Sequence, residues 1–449
     1  MTELHITGAQ LADGRNADIH VVDGVIRAIG SVSAGATARR IDAAGLIALP
    51  GLVDLHTHLR EPGFEQSETV LTGTQAAARG GFTTVFAMAN TSPVADTAGV
   101  VEQEWRLGRE AGYATVQPIG AVTKGLAGTQ LAELGAMASS KARVRVFSDD
   151  GMCVWDPQLM RRALEYVKSF DGVVAQHSQD PRLTEGAQMN EGALSAELGL
   201  AGWPAVAEES IIARDALLAE HVGSRLHVCH LSTAGSVDVV RWAKRRGINL
   251  TAEVTPHHLL LTEQEVVSYD PRFKVNPPLR RAEDVQALRE AVADGTIDIV
   301  ATDHAPHPVE AKECEWSAAA NGMVGLESAL AIVQKTLVDE GHIGWSDVER
   351  LLVTAPARIG RLDAPQLGLA VGAPADIVLY NPAAPFTFSR DSLAGKSVNS
   401  PYLGIDLPGD VVHTIHHGYL TFDTGRLVDA ARVAELAQTA PASNRSENS

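Results

Sequence analysis

The stretch Gly51-Leu-Val-Asp-Leu-His-Thr-His-Leu-Arg60 is an apolar run that ends in two histidines and is closely followed by an arginine. A β-strand places residues i and i+2 on one face, so His56 and His58 are predicted to point together at one ion. Neutral imidazole is a common ligand of zinc and related metals. Arg60 adds a planar, permanently charged group that suits an anionic substrate. A lone His-x-His pair is weak evidence for a metal, so the remaining ligands must come from elsewhere in the chain.

Beyond Val53 the sequence alternates between apolar β-type runs and helix-forming stretches with apolar residues three to four positions apart. The predicted strands are 53–56, 83–88, 115–122, 144–148, 173–177, 226–231, 250–254 and 297–302, and representative helices are 67–79, 160–169, 210–221 and 282–293. Eight strand–helix units over roughly 270 residues match a (β/α)8 TIM barrel in number and length. A doubly wound open sheet is the alternative, but no glycine-rich phosphate loop follows the first strand. The predicted class is therefore α/β.

Both chain ends are predicted to form β structure. Residues 18–22 and 25–29 flank an Asp23-Gly24 turn, which is typical of a hairpin. After about Pro365 the helical pattern stops, and short strands are predicted from 371 onward. The predicted domains are a small β-sandwich module built from residues 1–50 and 365–438, a metal-dependent barrel at 51–364, and a disordered tail at 439–449.

The composition restricts the partners and the location of the protein. Its formal net charge of -18 at pH 7 disfavours nucleic acid and anionic membranes, because both attract basic surfaces. A small anionic substrate is still allowed, since one local arginine decides that contact. The 3 cysteines are too few for a disulfide framework and are typical of a reducing compartment. With no signal peptide and no membrane-spanning run in the sequence, a cytoplasmic location is predicted.

Five of the predicted strands end in histidine or aspartate. In barrels of this kind the reactive groups lie at the carboxyl ends of the strands. Each residue alone has an ordinary explanation in turn formation or helix capping, but five strands together predict a metal site. The candidates are His56 and His58 after the first strand, Asp149 and Asp150 after the fourth, His177 after the fifth, His230 after the sixth and Asp303 after the eighth.

Strand alternation separates these candidates from their neighbours. If His230 and Asp303 face inward, then His227, Cys229 and His304 are expected to point away. His257 and His258 follow the seventh strand and are candidates by position. Because Pro256 precedes them directly, a role in supporting the ligands or the local structure is equally open, and they are left out of the ligand set. Asp54 is predicted to lie on the same face as His56. It could either support that histidine or stabilise a turn, and the sequence does not choose between these roles.

Four histidines and two carboxylates exceed the needs of one ion. They suit two metals about 3.5–4 Å apart that share a bridging hydroxide. Binding to the metals lowers the pKa of the water that forms this hydroxide from about 15.7 toward 7. A carboxylate such as Asp303 could take its proton and return it to a leaving nitrogen. The predicted chemistry is hydrolysis at an amide-like carbon.

With these residues assembled, the chain resembles the amidohydrolase superfamily, and most closely the larger bacterial (type I) dihydroorotases. The resemblance spans the predicted barrel in family order and includes both β-rich ends. It rests on the segments 50–63, 88–91, 147–151, His177, 230–233, 254–258, 275–280 and 301–307.

The resemblance implies a zinc site with one or two Zn2+ ions per chain. His56, His58 and Asp303 would hold one ion, His177 and His230 a second, and Asp150 would lie between them. Many relatives bridge the metals with a carbamylated lysine on strand 4, where this chain has Arg145, which stays protonated. The sequence therefore resembles the branch with an aspartate bridge. Only the resemblance, and not the spacing, favours Asp150 over Asp149.

The same resemblance implies a substrate and its binding residues. Arg60, Asn90 and His307 would bind a substrate carboxylate, Asn276 would lie near the ring, and residues 308–324 would form a mobile lid. The implied activity is the reversible hydrolysis of (S)-dihydroorotate to N-carbamoyl-L-aspartate in pyrimidine biosynthesis, with Asp303 as general base and acid. The implied assembly is a homodimer that can associate with aspartate transcarbamoylase.

Two other functions compete with this interpretation. A hydantoinase, dihydropyrimidinase or allantoinase would act on a cyclic amide without the carboxylate, but such enzymes generally use the lysine bridge that is missing here. A non-catalytic scaffold for aspartate transcarbamoylase would typically lack some of the ligands, whereas all six are present in this sequence.

Overall fold

The computed structural model describes residues 3–32, 35, 38–362 and 368–439. The domain boundary predicted near residue 365 and all but the first residue of the tail predicted at 439–449 lie outside these described residues.

Five strands near the amino terminus belong to one nine-stranded sheet. They are β1 (Glu3–Leu11), β2 (Asn16–Val22), β3 (Val25–Gly30), β4 (Arg39–Asp42) and β5 (Ile47–Pro50). The hairpin predicted at Asp23-Gly24 is present, since β2 and β3 pair antiparallel with Val22 opposite Val25. Both turn residues have positive φ angles, of 48° and 76°, which suits the twist of a two-residue hairpin loop.

The next ten strands include all eight that the sequence predicts. They are β6 (Leu52–Thr57), β7 (Phe82–Ala87), β8 (Thr115–Pro118), β9 (Val146–Phe147), β10 (Val173–Gln176), β11 (Met189–Asn190), β12 (Gly202–Trp203), β13 (Leu226–Val228), β14 (Leu250–Val254) and β15 (Ile299–Val300). Strands β6, β7 and β8 form one parallel sheet, and β9, β10, β13, β14 and β15 form another. Most of their residues are buried, as expected for parallel strands covered on both faces.

Two isolated parallel bridges link these two sheets. Gly120, just after β8, pairs with Phe147 of β9, and Thr57 of β6 pairs with His304, just after β15. Because every ladder and both bridges are parallel, the carboxyl ends of the eight strands lie at one edge. The candidate ligands follow these ends.

Helices alternate with the parallel strands along most of the chain. They are α1 (Val70–Gly80), α2 (Ala98–Ala111), α3 (Leu134–Ser139), α4 (Pro157–Lys168), α5 (Ala193–Leu198), α6 (Val206–Val222), α7 (Ala234–Arg245), α8 (Pro256–Leu260), α9 (Ala282–Ala293), α10 (Ala329–Val333), α11 (Trp345–Glu349), α12 (Ala355–Ile359) and α13 (Ala430–Thr439). Residues that favour helix initiation occur where the helices begin. In α4, for example, the Asp156 side chain caps the helix by accepting from the Leu159 N–H, and Pro157 lies in the first turn. No helix among the described residues is long and apolar enough to cross a membrane.

Six further strands complete the β structure of the carboxyl-terminal part. They are β16 (Ile377–Asn381), β17 (Phe386–Thr387), β18 (Asp406–Leu407), β19 (Asp410–His416), β20 (Tyr419–Asp423) and β21 (Arg426–Leu427). Strand β16 pairs antiparallel with β5, so both ends of the chain share the nine-stranded sheet. The expectation that helices stop after about Pro365 is wrong, because α13 follows β21. Its sequence is rich in alanine, and its buried Val433 packs in the main apolar core.

Candidate metal centre

His56 and His58 lie where β6 ends, and both imidazoles are buried. The Nε2 atom of His58 is 3.1 Å from Asp303 Oδ1, and that of His56 is 3.4 Å from the same oxygen. All three residues fall within one group whose ligand atoms lie within 4.8 Å of one another. The structure therefore brings together the three residues predicted to hold one ion.

Asp150 lies between this group and the other two histidines. Its Oδ1 atom is 3.4 Å from the Nε2 atoms of both His56 and His230, and 3.5 Å from Nδ1 of His177. The two imidazoles of His177 and His230 approach within 2.8 Å, from Nδ1 to Nε2. All six candidate ligands thus converge on one buried cluster.

The donor set of this cluster fits a cation. His56 and His58 each donate through Nδ1, to Glu253 Oε1 at 2.6 Å and to Asn90 Oδ1 at 2.9 Å, which leaves both Nε2 lone pairs facing carboxylates. Among the described residues, His56 Nε2 and Asp150 Oδ1 are buried without a hydrogen-bond partner. Carboxylates that face imidazole nitrogens at this range require a positive charge between them. A bound cation supplies that charge, and without one burial is outweighed by the carboxylates, which raise the pKa of His56. Tetrahedral bonds of about 2.0–2.1 Å separate ligand atoms by about 3.3–3.4 Å, close to the spacing found here.

The structure distinguishes the two neighbouring aspartates. The Asp149 carboxylate accepts backbone N–H bonds from Val122 at 2.8 Å and Thr123 at 2.9 Å, and it also bonds the Thr123 hydroxyl. It therefore ties the β8 and β9 segments together. Only Asp150 faces the histidines, a difference that spacing in the sequence could not reveal.

Glu253 is a residue that the sequence reasoning missed. From β14, its Oε1 accepts from His56 Nδ1 and, at 3.2 Å, from the backbone N–H of His230, while its Oε2 accepts from His227 Nε2 at 2.9 Å. One buried carboxylate thus fixes two of the candidate ligands. The available signal was a single acidic residue in the apolar run Leu250-Thr-Ala-Glu-Val, because an unpaired buried charge is costly.

The alternation argument failed beyond the end of β13. Cys229 and His227 were expected to point away from the cluster, yet Cys229 groups with His56 and Glu253, and His227 bonds Glu253. The reason is that the strand ends at Val228 and His230 adopts a positive φ of 31°, which breaks the two-residue period. His304 does turn away, since its Nδ1 accepts from the Gly325 N–H at 3.2 Å.

Three residues whose roles the sequence left open make different contacts. Asp54 accepts the backbone N–H groups of His56 and Thr302, at 3.1 and 3.0 Å, so it supports the backbone and not the imidazole. His257 is buried, and its Nε2 has no hydrogen-bond partner among the described residues. Burial lowers the pKa of His257 to about 4, so it is neutral at pH 7. His258 bonds Thr255 and the Pro277 carbonyl.

Three residues of the site hold strained backbone conformations. Arg60, His230 and Asp303 have φ angles of 64°, 31° and 48°. Non-glycine residues in the left-handed region cost roughly 1–3 kcal/mol each, and such strain concentrates at functional sites. Here the three residues lie two or three positions after the ends of β6, β13 and β15.

A cavity of about 280 Å³ opens above the cluster. Its lining contains the four residues predicted to bind substrate, namely Arg60, Asn90, Asn276 and His307, together with the ligand candidates His58, Asp150, His177 and Asp303. Arg60 donates through Nε to the Pro306 carbonyl at 3.1 Å, and His307 donates through Nε2 to the Asn321 carbonyl at 2.7 Å. Asn276 donates to Gln179 Oε1 at 3.2 Å, while its own Oδ1 is buried without a partner among the described residues.

The charges around this cavity are set by burial and by close neighbours. Burial lowers the pKa of Arg60 to about 10, so the guanidinium is positive at pH 7. Burial, assisted by the Arg60 charge, lowers the pKa of His307 to about 3, so that imidazole is neutral. Burial alone would raise the pKa of Asp303, but His56 and His58 outweigh it and lower the pKa to about 2. The lining of the cavity therefore contains one positively charged group, Arg60, and one ionised carboxylate, Asp303.

The segment 308–324, expected to be a lid, is held down by two lysines. Lys312 Nζ donates to the carbonyls of Pro271, Lys274 and Ala320 at 2.9, 3.1 and 2.7 Å. Lys274 Nζ donates to the Trp316 carbonyl at 2.6 Å. Burial and the Lys274 ammonium lower the pKa of Lys312 to about 7. Asn321 and Gly322 from this segment line the cavity, so the segment covers the candidate site.

Sequence comparisons show which proteins this chain resembles. A family profile described as Dihydro-orotase-like matches residues 45–236, and one described as Amidohydrolase family matches residues 204–420. A protein named dihydroorotase from Leifsonia xyli subsp. xyli is 71% identical, over 95% of this chain and 97% of that relative. Dihydroorotases from Streptomyces coelicolor and Mycobacterium tuberculosis are 62% and 51% identical, over 95% and 92% of this chain and 100% and 97% of those relatives.

Among solved structures, the chain resembles hydantoinases in fold. An L-hydantoinase from Arthrobacter aurescens superposes with a TM-score of 0.84 at 24% identity, covering 96% of this chain and 98% of that one. A D-hydantoinase from Thermus sp. gives 0.79 at 25% identity, over 95% and 96% of the two chains. These similarities indicate a mixed α/β fold of the amidohydrolase type.

Proposed function

Because the chain belongs to the dihydroorotase family of amidohydrolases, we propose that its buried cluster of four histidines and two aspartates is the metal centre that hydrolyses dihydroorotate. The function of the chain is that of a dihydroorotase, a metal-dependent hydrolase of pyrimidine biosynthesis. The observation that carries the site assignment is the convergence of all six side chains beneath a cavity that contains Arg60.

For the architecture, we propose a closed (β/α)8 barrel at residues 51–364 and a β-sandwich module built from residues 1–50 and 365–438. The two parallel bridges that link the parallel sheets support closure of the barrel. The separate apolar cluster formed by Ile6, Ile19, Ile377, Ile415 and their neighbours supports a module with its own core.

For the metal, we propose zinc, with His56, His58 and Asp303 at one position, His177 and His230 at the other, and Asp150 between them. Histidine and carboxylate ligands at this spacing suit zinc-class ions. Bound there, such ions act as Lewis acids and make water a nucleophile at neutral pH.

The residues of the chain supply substrate binding and proton transfer. The Arg60 guanidinium, with Asn90 and His307, would bind the substrate carboxylate and orient the ring carbonyl toward the cluster. Asn276 Oδ1 has no hydrogen-bond partner in the part of the chain that the structure describes, so it could accept from a ring N–H. Asp303, ionised at pH 7, would accept the proton of the attacking water and return it to the leaving ring nitrogen.

We propose further that the protein is cytoplasmic and acts as a homodimer able to associate with aspartate transcarbamoylase. All three cysteines are free, which suits a reducing compartment. Met152 and Trp155 lie two and five positions after Asp150 and are 56% and 52% exposed, and exposed apolar side chains of this size are typical of docking surfaces. Light scattering of the protein alone, and with aspartate transcarbamoylase, tests both assemblies.

One set of measurements tests the proposed function. Protein loaded with zinc should contain one or two ions in this cluster and should convert dihydroorotate and N-carbamoyl-aspartate in both directions. Turnover of dihydrouracil or allantoin above that of dihydroorotate would favour a hydantoinase-like enzyme. Absence of zinc after loading, with no turnover, would favour the scaffold instead.

A further inference from the structure

A second group of metal-ligand side chains lies far from the proposed catalytic cluster. Asp376 directly precedes β16, His416 ends β19, and His417 begins the turn into β20. One potential ligand atom from each lies within 4.8 Å of the others. The Asp376 carbonyl accepts from the Gly51 N–H at 2.8 Å. Gly51 stands just before β6, whereas His56 is near its end, so the two groups are about 15–20 Å apart.

The backbone turn places the two adjacent histidines on one side. In a regular strand, consecutive side chains point to opposite faces. His417 has a φ of 49°, in the left-handed region, and its ring lies beside that of His416 with centroids 4.1 Å apart. The His417 backbone N–H donates to Asp376 Oδ1 at 2.6 Å, which fixes the carboxylate against the turn.

The distances within this group lie on either side of those between the proposed catalytic ligands. The Nδ1 atoms of His416 and His417 lie 3.0 and 3.8 Å from Asp376 Oδ1. Tetrahedral bonds to one zinc-class ion would separate ligand atoms by about 3.3–3.4 Å. A hydrogen bond explains the shorter contact, but the longer one is beyond hydrogen-bond reach. Asp376 Oδ2 makes no hydrogen bond to any residue that the structure describes.

We propose that Asp376, His416 and His417 bind a divalent transition-metal ion of the zinc class at a site separate from the catalytic cluster. Two imidazoles and a carboxylate suit zinc, nickel or cobalt and leave a coordination position for water. The side chains of Asp376 and His417 are 18% and 30% exposed, so an ion can enter from solvent. Such an ion would link the start of β16 to the β19–β20 turn.

The test is a count of bound metal in the full-length protein. His417→Asn removes one ligand, and asparagine tolerates the left-handed backbone at this position. After equilibrium dialysis against Zn2+, wild type should hold one equivalent more than this variant, while dihydroorotate turnover should be the same in both. The matched control is His20→Asn, which removes an imidazole that contacts Glu3 at 2.8 Å but belongs to no three-ligand group among the described residues.

The expected result is that the control variant binds as much zinc as wild type. Equal zinc counts in wild type and His417→Asn would overturn the proposal. An anomalous difference map at the zinc edge gives a second readout that needs no variant. It should show a peak between Asp376, His416 and His417, and a peak at the catalytic cluster alone would refute the site. Neither outcome depends on the catalytic assignment.

Discussion

At the scale of single residues, we expect Arg60 to decide the choice of substrate. It is the only arginine lining the cavity above the cluster, within the described residues, and its charge persists because its pKa stays near 10. Asn90, in contrast, already accepts from His58, so its carbonyl oxygen serves a ligand and only its amide group remains for substrate.

We expect Arg60→Met to lower kcat/KM for dihydroorotate by about 100- to 20,000-fold, because two charge-assisted hydrogen bonds are lost at roughly 1.5–3 kcal/mol each. Steady-state kinetics in both directions measures the effect, and zinc content should not change. Arg361→Met is the control, since Arg361 forms a surface ion pair with Asp171 at 2.7 Å. Unchanged turnover in Arg60→Met would mean that the anion site lies elsewhere.

We expect Glu253→Gln to weaken zinc binding by about 10- to 100-fold, because the amide no longer fixes His56 as a full carboxylate does. Competition with a chromophoric chelator measures the affinity directly. Glu263→Gln is the matched control, a buried carboxylate that accepts from Asn190 at 2.6 Å and touches no ligand candidate. Equal affinities in the two variants would show that the Glu253 contact is dispensable.

The convergence of the six candidate ligands was predictable from the sequence, since five predicted strands end in histidine or aspartate. The contacts that support these candidate ligands were not predictable. Glu253, His227 and Cys229 come together through the pairing of β13 with β14 and the contact of Glu253 with His56, and His230 leaves the strand period through its backbone. Such details depend on three-dimensional contacts that periodicity does not encode.

At the scale of elements, the segment 308–324 is held by buried lysine contacts and not by secondary structure of any length. Its described regular structure is one short 3-10 turn, Val309–Ala311. Lys312 therefore holds the segment in place through hydrogen bonds from its Nζ to three backbone carbonyls.

We expect Lys312→Met to increase hydrogen exchange of the amides in 308–324 by at least tenfold and to raise KM. One buried and two partly buried carbonyls would lose their donor, at about 1–3 kcal/mol for each buried group left unsatisfied. Exchange followed by mass spectrometry resolves the segment. Lys335→Met, which removes a single exposed contact to the Asp406 carbonyl, should leave the segment unchanged. Similar exchange in both variants would contradict the fastening role.

The elements were predicted unevenly. The eight parallel strands were visible because they are apolar on both faces, as strands covered on two sides must be. Helix α13 was missed although Ala430-Ala-Arg-Val-Ala-Glu-Leu-Ala contains strong helix formers, because the neighbouring β pattern dominated the interpretation.

At the scale of the whole molecule, buried neutral histidines couple stability to pH. His307, with a pKa lowered to about 3, binds a proton in the unfolded chain below about 6.5 but not in the folded one. The unfolded state therefore gains protons first as pH falls, and stability declines between about 6.5 and 3.

We expect His307→Gln to show a smaller loss of Tm than wild type between pH 7 and pH 5, because glutamine can still donate to the Asn321 carbonyl but does not titrate. Differential scanning calorimetry at both pH values measures this. His221→Gln, an exposed change near the end of α6, should behave as wild type does. An identical pH dependence in wild type and His307→Gln would exclude this contribution.

The pairing of β5 with β16 also has a consequence for synthesis on the ribosome. During synthesis, one edge of strand Ile47–Pro50 stays unpaired until its neighbour Ile377–Asn381 is translated, about 330 residues later. At about 5–20 residues per second, that interval is on the order of 15–65 s. During this time the nascent amino-terminal sheet presents an open, apolar edge of the kind that recruits chaperones or aggregates. Slowing translation between these two strands should therefore reduce the yield of folded protein more than slowing it after Asn381.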